Sequence, residues 1–81
     1  MKFDFIDRTT GDDIVAATVE IGPDLKAVWT GLYANEARKA IETFHGGAYL
    51  GDRTFDVNSK ADWENLPNII NSSYFFAVPA E

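Results

Sequence analysis

His45 is the first residue to ask about acid–base chemistry, because imidazole alone among side chains has an ordinary pKa near neutrality. It is the single histidine of the sequence, so any mechanism that needs two imidazoles is excluded. What remains is a lone general base oriented by Glu42 or Asp56. The spacing matches no arrangement of base and nucleophile, and the plainer reading is a helix-end residue ahead of a glycine stop. Gly11-Asp12-Asp13 has the form of the metal-binding turn of template-directed polymerases, but these 81 residues cannot hold the palm domain such a turn serves. Asp4 with Asp7, or Asp12 with Asp13, lacks the alternating ligands and central glycine of a calcium loop. Solvated carboxylates on a hairpin are expected there, and no metal. Cysteine is absent, which removes disulfides, thiolate sites and a cysteine nucleophile. Gly46, Gly47 and Gly51 follow a helical segment, whereas a phosphate cradle needs its glycines before one. Ser59, Ser72 and Ser73 have no base near them in sequence. A protein without enzymatic activity, cofactor or metal is the expectation.

The elements that must position these residues follow from periodicity. Phe3 and Phe5 alternate with polar neighbours over residues 2–8, and Val15, Ala17, Val19 and Ile21 share one side of a β-branched run over 14–21. The turn formers Thr9 to Asp13 between them predict an antiparallel hairpin. After Gly22-Pro23-Asp24, the alternation of Leu25, Ala27 and Trp29 predicts an edge strand over 25–31. Ala34, Ala37, Ala40, Ile41 and Phe44 recur at helical spacing opposite Glu36, Arg38, Lys39 and Glu42, predicting a helix from about Tyr33 or Asn35 to Gly46-Gly47. Ala48–Leu50 and Arg53–Val57 around Gly51-Asp52 predict a second hairpin with a type II′ turn. Asn58 or Ser59 caps a short helix over 60–65 that turns Trp63 and Leu66 inward. Pro67 ends that helix or starts another turn. Tyr74–Val78, apolar on both faces, predicts a final strand in a central position.

The result is one α+β domain spanning 1–81, with an antiparallel sheet of about five to six strands and one main helix on one face. This order of elements resembles the β-grasp arrangement of ubiquitin-like domains over Lys2–Ile21, the helix and Ala48–Val78, with Leu25–Leu32 extra to the pattern. The resemblance implies a fold and assigns no site.

Charge gives the functional reading its direction. Thirteen Asp and Glu face seven Lys and Arg, a net charge of −6, which argues against direct nucleic-acid binding and against an anionic membrane. Residues 1–24 hold six of the acids and residues 46–81 five, so the main helix carries little of the excess. Asp4, Asp7, Asp12, Asp13, Asp52, Asp56, Asp62 and Glu64 are the expected partner-binding carboxylates. A solubilising surface is the bland account of them. The sharper account is that spaced carboxylates imitate phosphates and enter a Lys/Arg-lined groove on a partner. Eleven aromatic residues are many for a thin core. Trp29 on the edge strand, Tyr33 at the helix start and Trp63 between Asp62 and Glu64 are therefore candidate interface anchors, partial burial being the alternative for each.

The leading expectation is an inhibitor that occludes the basic, nucleic-acid-binding surface of a partner protein, as phage or mobile-element proteins do against CRISPR or restriction. An adaptor or immunity-type module binding through the edge strand and exposed aromatics is the alternative. A small enzyme using His45 is the third reading. Met1-Lys2-Phe3-Asp4 lacks the layout of a secretion signal and no apolar run is long enough for a membrane span, so a cytoplasmic setting is expected. Monomer and homodimer are both open.

Overall fold

The computed structural model describes residues 1–80. Alternation of Phe3 and Phe5 with Lys2 and Asp4 yields strand β1 (Lys2–Asp7), which pairs antiparallel with β2 (Ile14–Ile21). The register steps from Phe5↔Ala17 to Ile6↔Val15 and leaves Ala16 as a β-bulge. Its freed carbonyl accepts the Tyr33 N–H at 3.0 Å. Between them, Gly31 passes so close that a Cβ there would lie 3.0 Å from the Ala16 oxygen and the Ala17 Cα, and its φ of +111° disfavours side chains. The bulge thus sets where the main helix begins.

Strand β3 (Ala27–Thr30) pairs with β2, and β4 (Phe75–Pro79) pairs antiparallel with β1. The sheet has four strands in the order β3-β2-β1-β4. The final strand therefore lies at an end of the sheet and not at its centre. Its two apolar faces have another cause. Ala77 faces the core, while Phe76 lies on the opposite face under the Arg8 guanidinium, 3.8 Å from the ring centre. The outer edge of β4 is also partly paired: the Ala77 N–H donates to the Ile70 carbonyl and the Ser72 N–H to the Phe75 carbonyl, each at 2.9 Å. Strand β3 is left as the open edge.

The strand count falls short of five to six because the second hairpin does not form. Gly46 and Gly47, at φ +80° and +99°, open the reversal of the chain that follows the helical segment. Residues 53–55 then pair back onto 44–46, with the Gly46 N–H donating to the Arg53 carbonyl and the Phe55 N–H to the Phe44 carbonyl, each at 3.0 Å. Residues 48–52 become turns that bury Leu50. The β-grasp order, which needs that hairpin, is not realised.

The main helix α1 (Ala34–Glu42) stops short of the glycines, its last turn closed by the Thr43 hydroxyl donating to the Lys39 carbonyl at 2.8 Å. His45 thus lies outside the helix, in a single bridge to Thr54. Helix α2 (Lys60–Glu64) starts at Ser59, whose Oγ accepts the Asp62 N–H at 3.3 Å, and Pro67 stands in the first turn of α3 (Leu66–Ile69). No helix of the described residues is long and apolar enough to cross a membrane.

The core lies on one face of the sheet, where Phe3, Phe5, Ala17, Val19, Ile21 and Ala77 meet Ile41, Leu50, Phe55, Trp63, Leu66 and Ile70. Trp63 is its centre. It is wholly buried, edge-on to Phe55 at 5.1 Å between ring centres, and its Nε1–H donates to the Val57 carbonyl at 2.8 Å. Placing the ring there satisfies its one polar group while removing its full apolar surface from water.

Candidate functional site

Helix α1 packs over β2 and β3 while α3 packs over β4, which leaves the sheet less covered near the loop 8–13. The gap is a cleft of about 240 Å³. Phe5 and Phe75 line it from the sheet, and Ala37 and Ala40 from α1. The alanines stand three residues apart and so share one helix side, where larger side chains would fill the space. Tyr33 and Tyr74 also line it, 49% and 68% exposed.

Two carboxylates line the same cleft, Asp7 at the end of β1 and Glu36 in the first turn of α1, and among the described residues no Lys or Arg does. One oxygen of Asp7, Oδ1, accepts the Thr9 hydroxyl at 2.6 Å and the Thr9 N–H at 2.7 Å. These bonds, the hydroxyl's first, hold the Asp7 carboxyl below its ordinary pKa, so it is ionised at neutral pH. Glu36 is exposed and forms no ion pair among the described residues.

The other expected carboxylates are spread over the molecule. Asp4 accepts the Thr18 hydroxyl at 2.8 Å across the β1–β2 pair. Asp12 and Asp13 stand exposed in the loop 8–13. Asp52 is exposed in the turns after the helix, and Asp56 is exposed with Oδ1 accepting the Asn58 N–H at 2.9 Å. Asp56 shares a depression with Glu42, the last residue of α1, whereas the loop 8–13 adjoins the helix start. The two acidic groups therefore lie toward opposite ends of α1. Glu64 is exposed, 3.8 Å from Lys60.

Asp62 overturns its reading as a surface carboxylate. It is buried and clamped by Arg53, whose two terminal nitrogens donate to its two oxygens at 2.6 and 2.7 Å, with the Asp56 N–H adding a third bond at 2.9 Å. The Arg53 hydrogen bonds pull the Asp62 carboxyl below its usual range against the opposing effect of burial. Trp63 is likewise no anchor, being wholly buried. Trp29 is half-buried, packed 5.3 Å from Phe5 and 6.5 Å from Trp63 between ring centres, so its main role is in the core. Its exposed margin lines a second depression of about 420 Å³ with Leu25, Arg38 and Val57.

Of the aromatic candidates, Tyr33 alone stands well exposed. Sequence reasoning passed over Tyr49 and Tyr74, 54% and 68% exposed, and over Glu36. The signal was in the residue type, since a tyrosine hydroxyl is satisfied by water at a surface without further partners. His45 is exposed, Glu42 lies 4.0 Å from Arg38 and Oδ1 of Asp56 accepts the Asn58 N–H, and among the described residues no side-chain hydrogen bond or ion pair joins either carboxylate to His45.

No protein-family model matches the chain, and comparison with curated proteins and with solved structures likewise gives no match.

Proposed function

We propose that this chain is a non-enzymatic interaction protein that acts in the cytoplasm, using its acidic surface to occlude the basic, nucleic-acid-binding face of a partner protein. Anti-CRISPR and anti-restriction inhibitors of phages and mobile elements are the class in view. The observation that carries the reading is the disposition of the carboxylates. Asp12 and Asp13 stand exposed in the loop that adjoins the start of α1, Asp56 stands exposed beside its end and Asp52 in the turns before it, and none of the four forms an ion pair among the described residues. Spaced charges of this kind suit a surface built to pair with successive phosphates. Aspartates held on turns also lose less freedom on binding than longer side chains do.

The test is capture from native host lysate at low salt, elution in rising salt, and a parallel capture with the D12K/D13K/D52K/D56K variant. Retention of a nucleic-acid-binding protein by the natural chain alone, with release at moderate salt and competition by DNA or RNA, is the expected result. Equal capture by the variant overturns the reading. One observation favours a second reading: β3 is an open edge and its Val28 is 63% exposed, which suits strand addition by a partner. Binding through that edge is indifferent to salt.

A further inference from the structure

Resting on the reading of an acidic protein-binding surface, we propose that the cleft between α1 and the ends of β1 and β4 receives an arginine side chain of the partner. Size is the first argument. At about 240 Å³ the cleft lies below the roughly 300–1,000 Å³ of small-molecule sites, so it suits one inserted side chain better than a metabolite. Chemistry is the second. The walls Phe5, Phe75, Ala37 and Ala40 are apolar and match the three-methylene stem of arginine, which buries readily while its head stays polar.

Charge complementarity is the third argument. Asp7 and Glu36 are the charged residues lining the cleft, both negative. Thr9 occupies only Oδ1 of Asp7 and leaves Oδ2 to accept from a guest. Tyr33 and Tyr74 line the cleft with exposed rings, on which a planar guanidinium can stack while an ammonium makes only a point-charge contact. A planar head with five donors can meet a carboxylate and an aromatic face together, which favours arginine over lysine. Guests of a Lys/Arg-lined groove would be of this class, so the cleft supplies a specific anchor within an otherwise diffuse electrostatic contact.

The experiment is an NMR titration of the whole chain with N-acetyl-arginine-N′-methylamide, followed at amides and methyls, with the neutral citrulline analogue as control. Saturable shifts confined to Tyr33, Ala37, Ala40, Tyr74 and their neighbours are expected, with citrulline binding at least about tenfold more weakly. Ala40→Leu fills the cleft and Tyr74→Ala removes an exposed ring; each should weaken the arginine derivative about tenfold or more. Equal binding of citrulline, shifts that follow Asp12, Asp13 and Asp52 instead, or undiminished binding in both variants overturns the proposal. Should Ala40→Leu disturb folding, Tyr74→Ala decides, because its side chain stands largely in solvent. The two readings fail separately. Arginine in the cleft with no nucleic-acid-binding partner captured overturns occlusion alone; salt-sensitive capture kept by both cleft variants overturns the cleft alone.

Discussion

Arg53 reaches from the turn after residue 52 with half its side chain in water and closes both terminal nitrogens on the buried Asp62 carboxylate. Together with the Asp56 N–H this ties the irregular segment 48–59 to α2. Asp62→Ala removes three acceptor contacts and should cost about 2 kcal/mol, near the value for hydrogen bonds to charged groups. The half-exposed arginine keeps the loss below the roughly 3–5 kcal/mol of a fully buried pair. Urea unfolding at pH 7 measures it. The pH dependence follows from the direction of the shift. The folded carboxyl of Asp62 titrates below the unfolded one, so its contribution is complete above the unfolded value of about 4 and fades as pH falls through the lower folded value. Asp62→Asn should flatten the decline of the urea midpoint below pH 4; an unchanged slope would mean that other carboxylates, Asp7 among them, govern acid unfolding. Little of this pair was legible in the sequence. Trp63 and Leu66 read as inward from the short helix, although Trp63 between two acids also reads as an interface anchor, and Asp62 precedes Trp63 on a five-residue helix and reads as one more surface acid. Only the partner's reach, nine residues away, makes it a core residue.

The hairpin of β1 and β2, the edge strand, the capped α2 and the final strand could all be read from alternation, turn residues and caps, because each rests on local chemistry. The second hairpin could not. Gly51-Asp52 is as good a turn pair as any in the chain, yet the two positive-φ glycines at 46 and 47 bring residues 53–55 back to 44–46 first. Burial of Leu50 and Phe55 then favours the compact turn over an extended ribbon. The β-bulge was equally hidden, since an extra residue in a β-branched run leaves no compositional mark. It makes a firm prediction at Gly31. Alanine there must take a φ of +111° and place Cβ 3.0 Å from two backbone atoms of the bulge, neither of which can swing aside as a side-chain tip would. Gly31→Ala should therefore destabilise the fold by about 1–3 kcal/mol, the cost of a strained backbone site. It should also perturb the Ala16 and Tyr33 amides ahead of those in β4. Gly11→Ala, in open space at φ +81°, should cost only the backbone term and serves as the control; equal losses at the two positions would refute the close-approach account.

At the scale of the whole molecule, an excess of six negative charges surrounds a sheet that is helix-covered on one face, and the exposed aspartates fall in two groups, Asp12 and Asp13 in the loop beside the start of α1 and Asp52 and Asp56 in the segment that follows it. Among the described residues no three acidic or histidine side chains come close enough to hold a metal ion. That dispersal makes a prediction which a merely solubilising surface does not. If a partner's groove spans both groups, Asp12 and Asp13 contact it independently of Asp52 and Asp56. Neutralising each pair, as D12N/D13N and as D52N/D56N, should weaken binding to the captured partner about threefold to thirtyfold. That range corresponds to two partly exposed charge contacts of a few tenths to one kcal/mol each. The combined variant should show the sum of the two free energies to within about 0.5 kcal/mol, because distant sites without shared partners add. Each pair should also reduce the steepness of the salt dependence, since fewer contacts are left to screen. Binding measured across a salt series for the four proteins distinguishes the alternatives. An effect confined to D12N/D13N places the interface at the loop beside the Tyr33–Tyr74 cleft and shortens the contact to a local one. No effect from either pair, with steady binding at high salt, transfers the interaction to the open edge of β3, where backbone hydrogen bonds and Val28 rather than charge would hold the partner.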